Sequence, residues 1–335
     1  MKHHPIEISV STWKYGKDWV YSITYDEGLS DLSRFVIPNH QEFGIPGHVE
    51  VVAGQIGEIR NCGQSSYNGM KHMDAGELRG LLNMGWGVGS HSWSHGIVMD
   101  NPELELLKSK IAIEEAIGHP VTVYTSCGCN DNLTPEVLEK IQEYGYLAGV
   151  SITDDINYPD TEDILWVNRV PIHEHFWGPF DSYFDAYKRI RQAQKEHGWI
   201  VDYCHCPLET PVHGYKDCSA AHHRERLQTI AEEGGASCWY ANPDDVVDYR
   251  YMRRHAEIKR VDSPSAQSFE ISLDGLPDQV VCRELTFEVR TPCTPESLEV
   301  RIGDRSVDLV PARAGIHHFT TDVHHGMQLT LSERK

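Results

Sequence analysis

The sequence predicts an α/β fold, with a (β/α) barrel of seven or eight units followed by a small antiparallel β domain. Between residues 17 and 257, short apolar runs alternate with amphipathic helices, which favours parallel strands joined by helices. After Val261, apolar and polar residues alternate with Gly, Pro and Asp between the runs, which indicates antiparallel strands. We therefore assign residues 1–260 to the barrel and residues 261–335 to a β-sandwich-like domain.

Each predicted helix has a recognisable start or end. Asp74 followed by Glu77 is a capping pair, and Gly85 lies just beyond that helix. The other helices begin at a proline or near a capping residue, and they are predicted from Pro102, Pro135, residue 181, Ser219 and Pro243.

The apolar runs between the helices are the predicted barrel strands. They lie near residues 19–24, 48–52, 86–90, 121–124, 147–151, 167–171, 199–204 and 236–240. Seven or eight such units are typical of a barrel rather than a doubly wound sheet. No helix is apparent between 151 and 167, so we expect an irregular barrel. The strands of the second domain are predicted at 267–273, 283–290, 297–302, 305–310, 315–320 and 327–331.

Charge and composition exclude several kinds of partner. The chain has 30 Lys and Arg against 50 Asp and Glu, a formal net charge of −20, which argues against nucleic acid and anionic membrane surfaces. No segment is apolar enough to span a membrane, and the N-terminus lacks the apolar core of a secretory signal. Nine cysteines in 335 residues favour a reducing compartment. The sequence therefore predicts a cytoplasmic protein.

Candidate site residues follow three predicted strands, at the end where parallel barrels carry their active sites. The first strand runs into Asp26 and Glu27, two adjacent carboxylates that would repel each other without a nearby cation. The third runs into His91 and His95, whose spacing on a helical turn puts both rings on one side, as a metal requires. His205 follows the seventh strand and would reach the same mouth.

These segments resemble two motifs of the polysaccharide deacetylases, the NodB-homology family of carbohydrate esterases. Residues 24–28 (Thr-Tyr-Asp-Glu-Gly) are similar to the family's T-F-D-D-G, and residues 89–95 (Gly-Ser-His-Ser-Trp-Ser-His) to its G-S-H-[ST]-x-x-H. The resemblance covers about residues 18–257. It implies a distorted (β/α) barrel that binds a divalent metal, with zinc expected first and cobalt, nickel, manganese or iron as the other options.

The resemblance also implies roles for individual residues. Asp26 matches the catalytic base, and His205 matches the general acid. The implied metal ligands are Glu27, His91 and His95. A metal-activated water would attack an amide carbonyl, and the protonated histidine would release the amine. The implied enzyme is a hydrolase of carbon–nitrogen bonds other than peptide bonds, which removes an N-acetyl (or O-acetyl) group from a sugar-containing substrate.

The sequence departs from the family pattern in two places. Glu27 stands where the family has an aspartate, so its carboxylate is one methylene longer. The arginine that positions the base is missing after the fourth strand, where Thr125 stands nearest to its place. We expect another cation, with Arg169 as the candidate, to hold the base, unless the base is tuned differently. Asp154 and Asp155 are weak matches for the aspartate that tunes the late histidine.

Other functions stay open. The main alternative is a hydrolase of a cyclic ureide, a cyclic imide or another small amide on the same barrel, with or without a metal. Two histidines and a carboxylate also suit an iron oxygenase, but a (β/α) barrel is the wrong setting for one. A catalytically inactive carbohydrate-binding module is disfavoured because both histidines and both carboxylates are retained. Homo-oligomerisation stays open as well.

Two further groups of residues follow the strand ends. The thiols of Cys127, Cys129, Cys204 and Cys206 could bind zinc together, although buried reduced thiols are the commoner case. The aromatic loop at residues 176–180, which contains Trp177, is the best candidate for a loop that contacts the substrate.

Overall fold

The computed structural model describes residues 6–61, 63–173, 185–261, 267–292, 294 and 297–333. It divides into two compact units, one of Trp19–Val247 and one of Met1–Asp18 together with Asp248–Lys335. The predicted fold class is confirmed. The first unit is a distorted (β/α) barrel, and the second contains antiparallel sheets.

Strands and helices alternate through the first unit, and strands predominate in the second. In chain order the strands are β1 (Glu7–Val10), β2 (Trp19–Tyr25), β3 (His48–Val51), β4 (Gly87–Ser90), β5 (Val123–Thr125), β6 (Ala148–Val150), β7 (Trp166–Val167), β8 (Val170–Pro171), β9 (Trp199–Cys204), β10 (Cys238–Tyr240), β11 (Glu257–Val261), β12 (Gln267–Ser272), β13 (Glu284–Arg290), β14 (Leu298–Ile302), β15 (Arg305–Val307), β16 (Val310–Arg313), β17 (Ile316–Asp322) and β18 (Met327–Glu333). The helices are α1 (Leu32–Phe43), α2 (Ala75–Asn83), α3 (Ser109–Ile117), α4 (Pro135–Glu143), α5 (Lys188–Glu196), α6 (Ala220–Gly234) and α7 (Pro243–His255). A π-helical turn over Glu103–Lys108 leads into α3. Among these helices none is both long enough and apolar enough to cross a bilayer.

The barrel sheet has nine parallel strands in the part of the chain that the structure describes. Their order is β7-β6-β5-β4-β3-β2-β9-β8, and β10 pairs with the start of β2. The strands at the two ends of this order, β7 and β8, are separated in sequence only by Asn168 and Arg169. The sheet therefore curls back on itself, and the strand predicted near 167–171 is split in two. The sequence predicted an irregular barrel because no helix is apparent between 151 and 167. The split strand is where the barrel is irregular.

Helix α1 has no counterpart among the predicted helices. It contains Pro38, and an internal proline removes a backbone hydrogen bond and normally ends a helix, which hides the pattern. The buried residues Leu32, Val36 and His40 follow each other at intervals of four, the spacing of one helix face. Burial of that face outweighs the cost of the proline. Gly44 then ends the helix in the left-handed conformation, with φ of 65°.

The interior of the barrel contains a charged group beside β4. His48 donates to Glu50 Oε1 at 2.8 Å and to Asp244 Oδ2 at 3.1 Å. Burial alone would lower the pKa of His48, but the two carboxylates outweigh it and raise the pKa to about 10. Glycines of β4 leave room for this group: a Cβ at Gly87 would lie 2.3 Å from His48 Cδ2, and one at Gly89 would lie 2.3 Å from Glu50 Oε2.

The second unit contains two antiparallel sheets, with strand orders β1-β13-β17-β16 and β11-β12-β18-β14-β15. Alternate side chains of β13 and β17 are buried, and Phe287 stacks on Phe319 with ring centroids 5.0 Å apart.

The second unit includes the N-terminal segment, which the predicted boundary at residue 260 had assigned to the barrel. Strand β1 pairs with β13, with Glu7 opposite Arg290. A pairing over such a distance leaves no local signal in the sequence.

We expect Gly89→Ala to lower the free energy of unfolding by about 1–3 kcal/mol, the usual cost of overpacking an interior. The added methyl would meet the fixed Glu50 carboxylate at 2.3 Å and the Val123 carbonyl at 3.1 Å. Gly80→Ala in α2 is the matched control, because a Cβ there has nothing within 4 Å. It should leave stability unchanged or raise it by up to about 1 kcal/mol. Urea titration of both variants measures the difference, and equal stabilities would contradict the steric argument.

Candidate active site

A cavity of about 430 Å³ opens at the carboxyl ends of the barrel strands, and we call it the strand-end cavity. Its walls include the side chains of Asp26, Glu27, His91, His95 and His205. These residues follow the last residues of β2, β4 and β9. The common direction of parallel strands therefore brings them together, as the sequence predicted.

Asp26 is held by a buried guanidinium. Arg169 Nη1 lies 2.6 Å from Asp26 Oδ1 and Nη2 lies 3.0 Å from Oδ2, a two-point contact. Arg169 also donates from Nε to Ser151 O at 3.0 Å and stacks over the Tyr203 ring at 4.1 Å. Burial alone would raise the pKa of Asp26, but the Arg169 guanidinium outweighs it and holds the pKa well below its usual range. Arg169 thus lies where a substitute for the missing family arginine was expected.

Glu27 is paired with an arginine that the sequence analysis did not identify. Arg60 Nη2 lies 2.5 Å from Glu27 Oε1, and both side chains are almost fully buried. Within the described residues, Glu27 Oε2 and the Nε and Nη1 groups of Arg60 are buried without a hydrogen-bond partner. Arg60 belongs to an irregular loop after β3, with no strand end or repeat to mark it. Only the structure reveals its position in the wall of the cavity.

The backbone at Glu27 is strained and firmly held. Its φ is 78°, in the left-handed region that non-glycine residues rarely adopt. His72 fixes this turn by donating from Nδ1 to Glu27 O at 2.8 Å. Strained residues concentrate at functional sites, where neighbouring structure must hold them in place.

The segment that carries His91 and His95 is an irregular loop and not the helical turn that their spacing predicted. Ser92 and His95 have φ of 68° and 60°, which a right-handed helix does not allow. Glu105 holds the loop by accepting from the backbone N–H groups of Trp93 at 3.1 Å and Ser94 at 2.9 Å. The two histidines are still neighbours, with ring centroids 5.0 Å apart.

Each of these histidines approaches one of the two carboxylates. His91 donates from Nδ1 to Thr125 O at 3.0 Å, and its Nε2 lies 4.0 Å from Asp26 Oδ2. Burial lowers the pKa of His91 to about 3, so the ring is neutral at neutral pH. His95 Nε2 lies 3.5 Å from Glu27 Oε1.

His205 is oriented by the main chain. Its Nδ1 donates to Lys216 O at 2.6 Å, and its ring stacks on Tyr67 with centroids 5.2 Å apart. Burial lowers the pKa of His205 to about 4. The ring is therefore neutral at neutral pH, with Nε2 as the nitrogen that can accept a proton.

Other predicted site residues lie elsewhere. Asp154 and Asp155 do not orient His205, because Arg189 donates to Asp154 Oδ1 at 3.0 Å and Gln192 donates to Asp155 Oδ1 at 3.0 Å. Cys127 makes a hydrogen bond with Gly96 O at 3.3 Å. Trp177 lies outside the described residues.

The donor set predicted for a divalent metal does not fit one in this arrangement. Among the described residues, one group of three or more potential ligands has its donor atoms within 4.8 Å of one another, and it consists of Cys204, Asp217 and Cys218. Glu27, His91 and His95 do not meet that distance, and neither do the four thiols of the predicted zinc site. A metal with bonds of about 2.1 Å needs donors closer together than this. A cation, Arg60, moreover occupies one oxygen of Glu27.

The fold and the strand-end cavity define a (β/α)-barrel protein with buried carboxylates and histidines at its strand ends. No protein-family model matches this sequence, and no curated protein matches it. The chain is similar in structure to a Mycobacterium smegmatis protein described as a polysaccharide deacetylase, at 15% identity and a TM-score of 0.46, over 72% of this chain and 92% of that one. It is also similar to the peptidoglycan deacetylase PdaC of Bacillus subtilis, at 15% identity and a TM-score of 0.40, over 68% and 89% of the two chains. A third similar structure is the deacetylase PplD of Streptococcus pyogenes, at 15% identity and a TM-score of 0.38, over 44% and 62%.

We expect Arg169→Gln to destabilise the protein by about 3–5 kcal/mol at pH 7, because it leaves the buried Asp26 carboxylate unpaired. Without the guanidinium, burial raises the pKa of Asp26 above its unfolded value. The deficit should therefore shrink as pH falls and Asp26 binds a proton. The double variant Arg169→Gln with Asp26→Asn should recover much of the loss. Urea unfolding at several pH values completes this cycle, and a deficit independent of both pH and Asp26 would contradict it.

Proposed function

We propose that the barrel unit is a hydrolase that cleaves the carbon–nitrogen bond of an amide, with an N-acetylated sugar-containing molecule as the expected substrate. The observation that carries the proposal is the presence, in one cavity, of a fixed ionised carboxylate and a neutral imidazole. Asp26 is fixed by Arg169, and His205 is fixed by Lys216 O. An O-acetyl group would be cleaved by the same arrangement, with oxygen in place of nitrogen as the leaving atom.

Asp26 acts as the base in this proposal. Arg169 keeps the carboxylate ionised and restricts its orientation, so that a water in the cavity can give up a proton to it. Because its pKa is low, Asp26 is an intrinsically weak base. Its fixed position beside the substrate compensates for this weakness. As the proton leaves, the water oxygen bonds to the carbonyl carbon of the substrate.

His205 supplies the proton that the leaving nitrogen needs. The ring is neutral at rest, so it first takes up the proton that Asp26 has removed from the attacking water and then passes it on from Nε2. The carbon–nitrogen bond breaks as the nitrogen takes this proton. The products are a carboxylic acid and a free amine, and the net change is the addition of one water.

The oxyanion that forms during the attack needs donors in the wall of the cavity. The loop after β5 offers a backbone N–H at Gly128, a residue that lines the cavity. The N–H groups of Ser126 and Cys129 in this loop already bind Val150 O and Cys127 O. One oxyanion donor typically contributes about 2.7–4 kcal/mol to acyl transfer.

A second candidate is the opening of a cyclic ureide or imide. Among the described residues, the buried Nε and Nη1 groups of Arg60 have no partner, which favours this candidate because either group could donate to a ring carbonyl oxygen. The same base and acid would serve this ring opening.

Two sets of substrates test the proposal directly. Acetate release is measured from N-acetylglucosamine and its oligomers, and ring opening is measured with hydantoin and succinimide. Asp26→Asn should lower kcat by about 10²–10⁴-fold on the substrate that is turned over. Asp278→Asn, an exposed carboxylate of the second unit, is the matched control and should leave kcat unchanged. Full activity of the Asp26 variant would refute the base assignment, and no turnover of either set would refute the proposal for these substrates.

The pH profile of kcat/KM tests the state of His205. Its pKa is lowered to about 4, so the neutral ring predominates above that pH. We therefore expect kcat/KM to be level between about pH 6 and 8 and to fall as pH drops through the lowered pKa. His205→Gln should remove this acidic limb while circular dichroism shows the protein still folded. A tenfold fall for each pH unit above 4 would instead show that the free enzyme needs the imidazolium.

A further inference from the structure

We propose that Arg60 is the resident cation of the strand-end cavity, taking the place of a divalent metal, so that the site works without a metal ion. The hydrolysis itself rests on the proposed function above. The exclusion of a metal rests only on the arrangement of Arg60, Glu27, His91 and His95 and can be tested without a substrate.

The first support is the way Arg60 is held. Its backbone N–H donates to Met70 O at 2.7 Å, and its carbonyl accepts from Gly69 at 2.9 Å. Ile59 also forms an isolated β-bridge with Lys71, so this part of the loop after β3 is held by backbone hydrogen bonds on both sides of Arg60. The loop is thus fixed where the nearly fully buried Arg60 guanidinium contacts Glu27 Oε1.

The second support is the donors that this pairing leaves unused. A buried guanidinium loses its water, and a structural ion pair compensates only when its remaining N–H groups are also bonded. In the described chain, Arg60 Nε and Nη1 are buried without partners, as is Glu27 Oε2. The residue also lines the cavity. This pattern fits a group that completes its hydrogen bonds on a substrate.

The third support is charge balance. Asp26 and Glu27 are consecutive carboxylates, and each contacts a guanidinium of its own, from Arg169 and Arg60. The two negative charges are therefore matched by two positive charges from the protein. The charges of these two carboxylates and two guanidinium groups add up to zero. A divalent ion beside them would add two positive charges that no further carboxylate of this set balances.

The departure of Glu27 from the family aspartate has a physical reason in this arrangement. The added methylene carries the carboxylate further from the backbone, to where Arg60 Nη2 meets it at 2.5 Å. The oxygen that faces His95 Nε2, at 3.5 Å, is thereby already bonded to a cation of the protein. The donors of Glu27, His91 and His95 accordingly do not converge within 4.8 Å.

In the reaction, Arg60 would donate from Nε or Nη1 to the carbonyl oxygen of the substrate. That oxygen gains negative charge as water bonds to the carbon, and a fixed guanidinium stabilises it without giving up a proton. The proton balance is unchanged: water loses a proton to Asp26, that proton passes to His205, and the leaving nitrogen takes it from His205 Nε2.

The metal content of the full chain tests the inference first. Purified wild-type protein, dialysed against EDTA and then against buffered Zn²⁺, should hold no stoichiometric zinc at Glu27 by mass spectrometry of the metal. Zinc that is lost in Cys218→Ser and kept in Glu27→Gln belongs to the thiol group and supports the inference. Zinc that is lost in Glu27→Gln overturns it.

A gain of binding tests the role of Arg60 more sharply. Arg60→Ala frees the Glu27 carboxylate, and we expect its Zn²⁺ affinity to rise at least about tenfold over wild type by calorimetry. The double variant Arg60→Ala with Glu27→Gln should lose that gain. Arg60→Lys keeps a cation and should stay metal-free, which covers the case that Arg60→Ala fails to fold. Arg34→Ala, an exposed arginine, is the matched control. Equal affinities for folded Arg60→Ala and wild type would overturn the inference.

Activity supplies a separate readout once a substrate is found. Wild-type turnover should be unchanged by EDTA, and Arg60→Ala should lose about 10²–10³-fold in kcat. Added guanidinium ion should restore part of that loss, which a purely structural role would not allow. Loss of wild-type turnover in EDTA with recovery on Zn²⁺ would overturn the inference. Absence of turnover on all substrates would refute the proposed function while the metal measurements still decide the question of Arg60.

Discussion

Burial of two consecutive carboxylates is the constraint on which the strand-end cavity depends. Asp26 and Glu27 directly follow the last residue of β2, and each is nearly inaccessible to water. Two such charges are tolerated in a protein interior only when cations and hydrogen bonds replace the lost solvent. Arg169 reaches Asp26 from the short gap between β7 and β8, and Arg60 reaches Glu27 from the loop after β3. The irregular closure of the barrel is therefore what brings a guanidinium to Asp26.

The barrel interior below the cavity follows the same logic. His48 and Glu50 project from β3 into space that glycines of β4 leave open, and Asp244 closes the group from α7. Apolar burial contributes little at these positions, and the missing side chains of Gly87 and Gly89 give the charged group its space. The glycine-rich strand that preceded the histidine motif in the sequence is thus explained by packing and not by the chemistry of the cavity.

The sequence was informative wherever the signal was local. Strand ends, alternation and capping residues placed β2, β4 and β9, and the direction of parallel strands then brought Asp26, His91 and His205 to one mouth. Long-range features carried no such signal. The pairing of β1 with β13 decides which unit holds the N-terminus, and Arg60 lies in a loop without periodicity. The spacing of His91 and His95 also gave a wrong prediction of a helical turn. Ser92 and His95 have positive φ, so the segment is an irregular loop.

The two departures from the deacetylase motifs can be understood as one rearrangement of positive charge. Where the family pattern has an arginine after the fourth strand, this chain has Thr125, whose carbonyl accepts from His91. The guanidinium on Asp26 comes from Arg169 instead, and a second guanidinium reaches the lengthened carboxylate of Glu27. Each of the two consecutive carboxylates therefore has a guanidinium of its own. Both negative charges are matched within the protein, and motif letters alone do not determine which side chain supplies each cation.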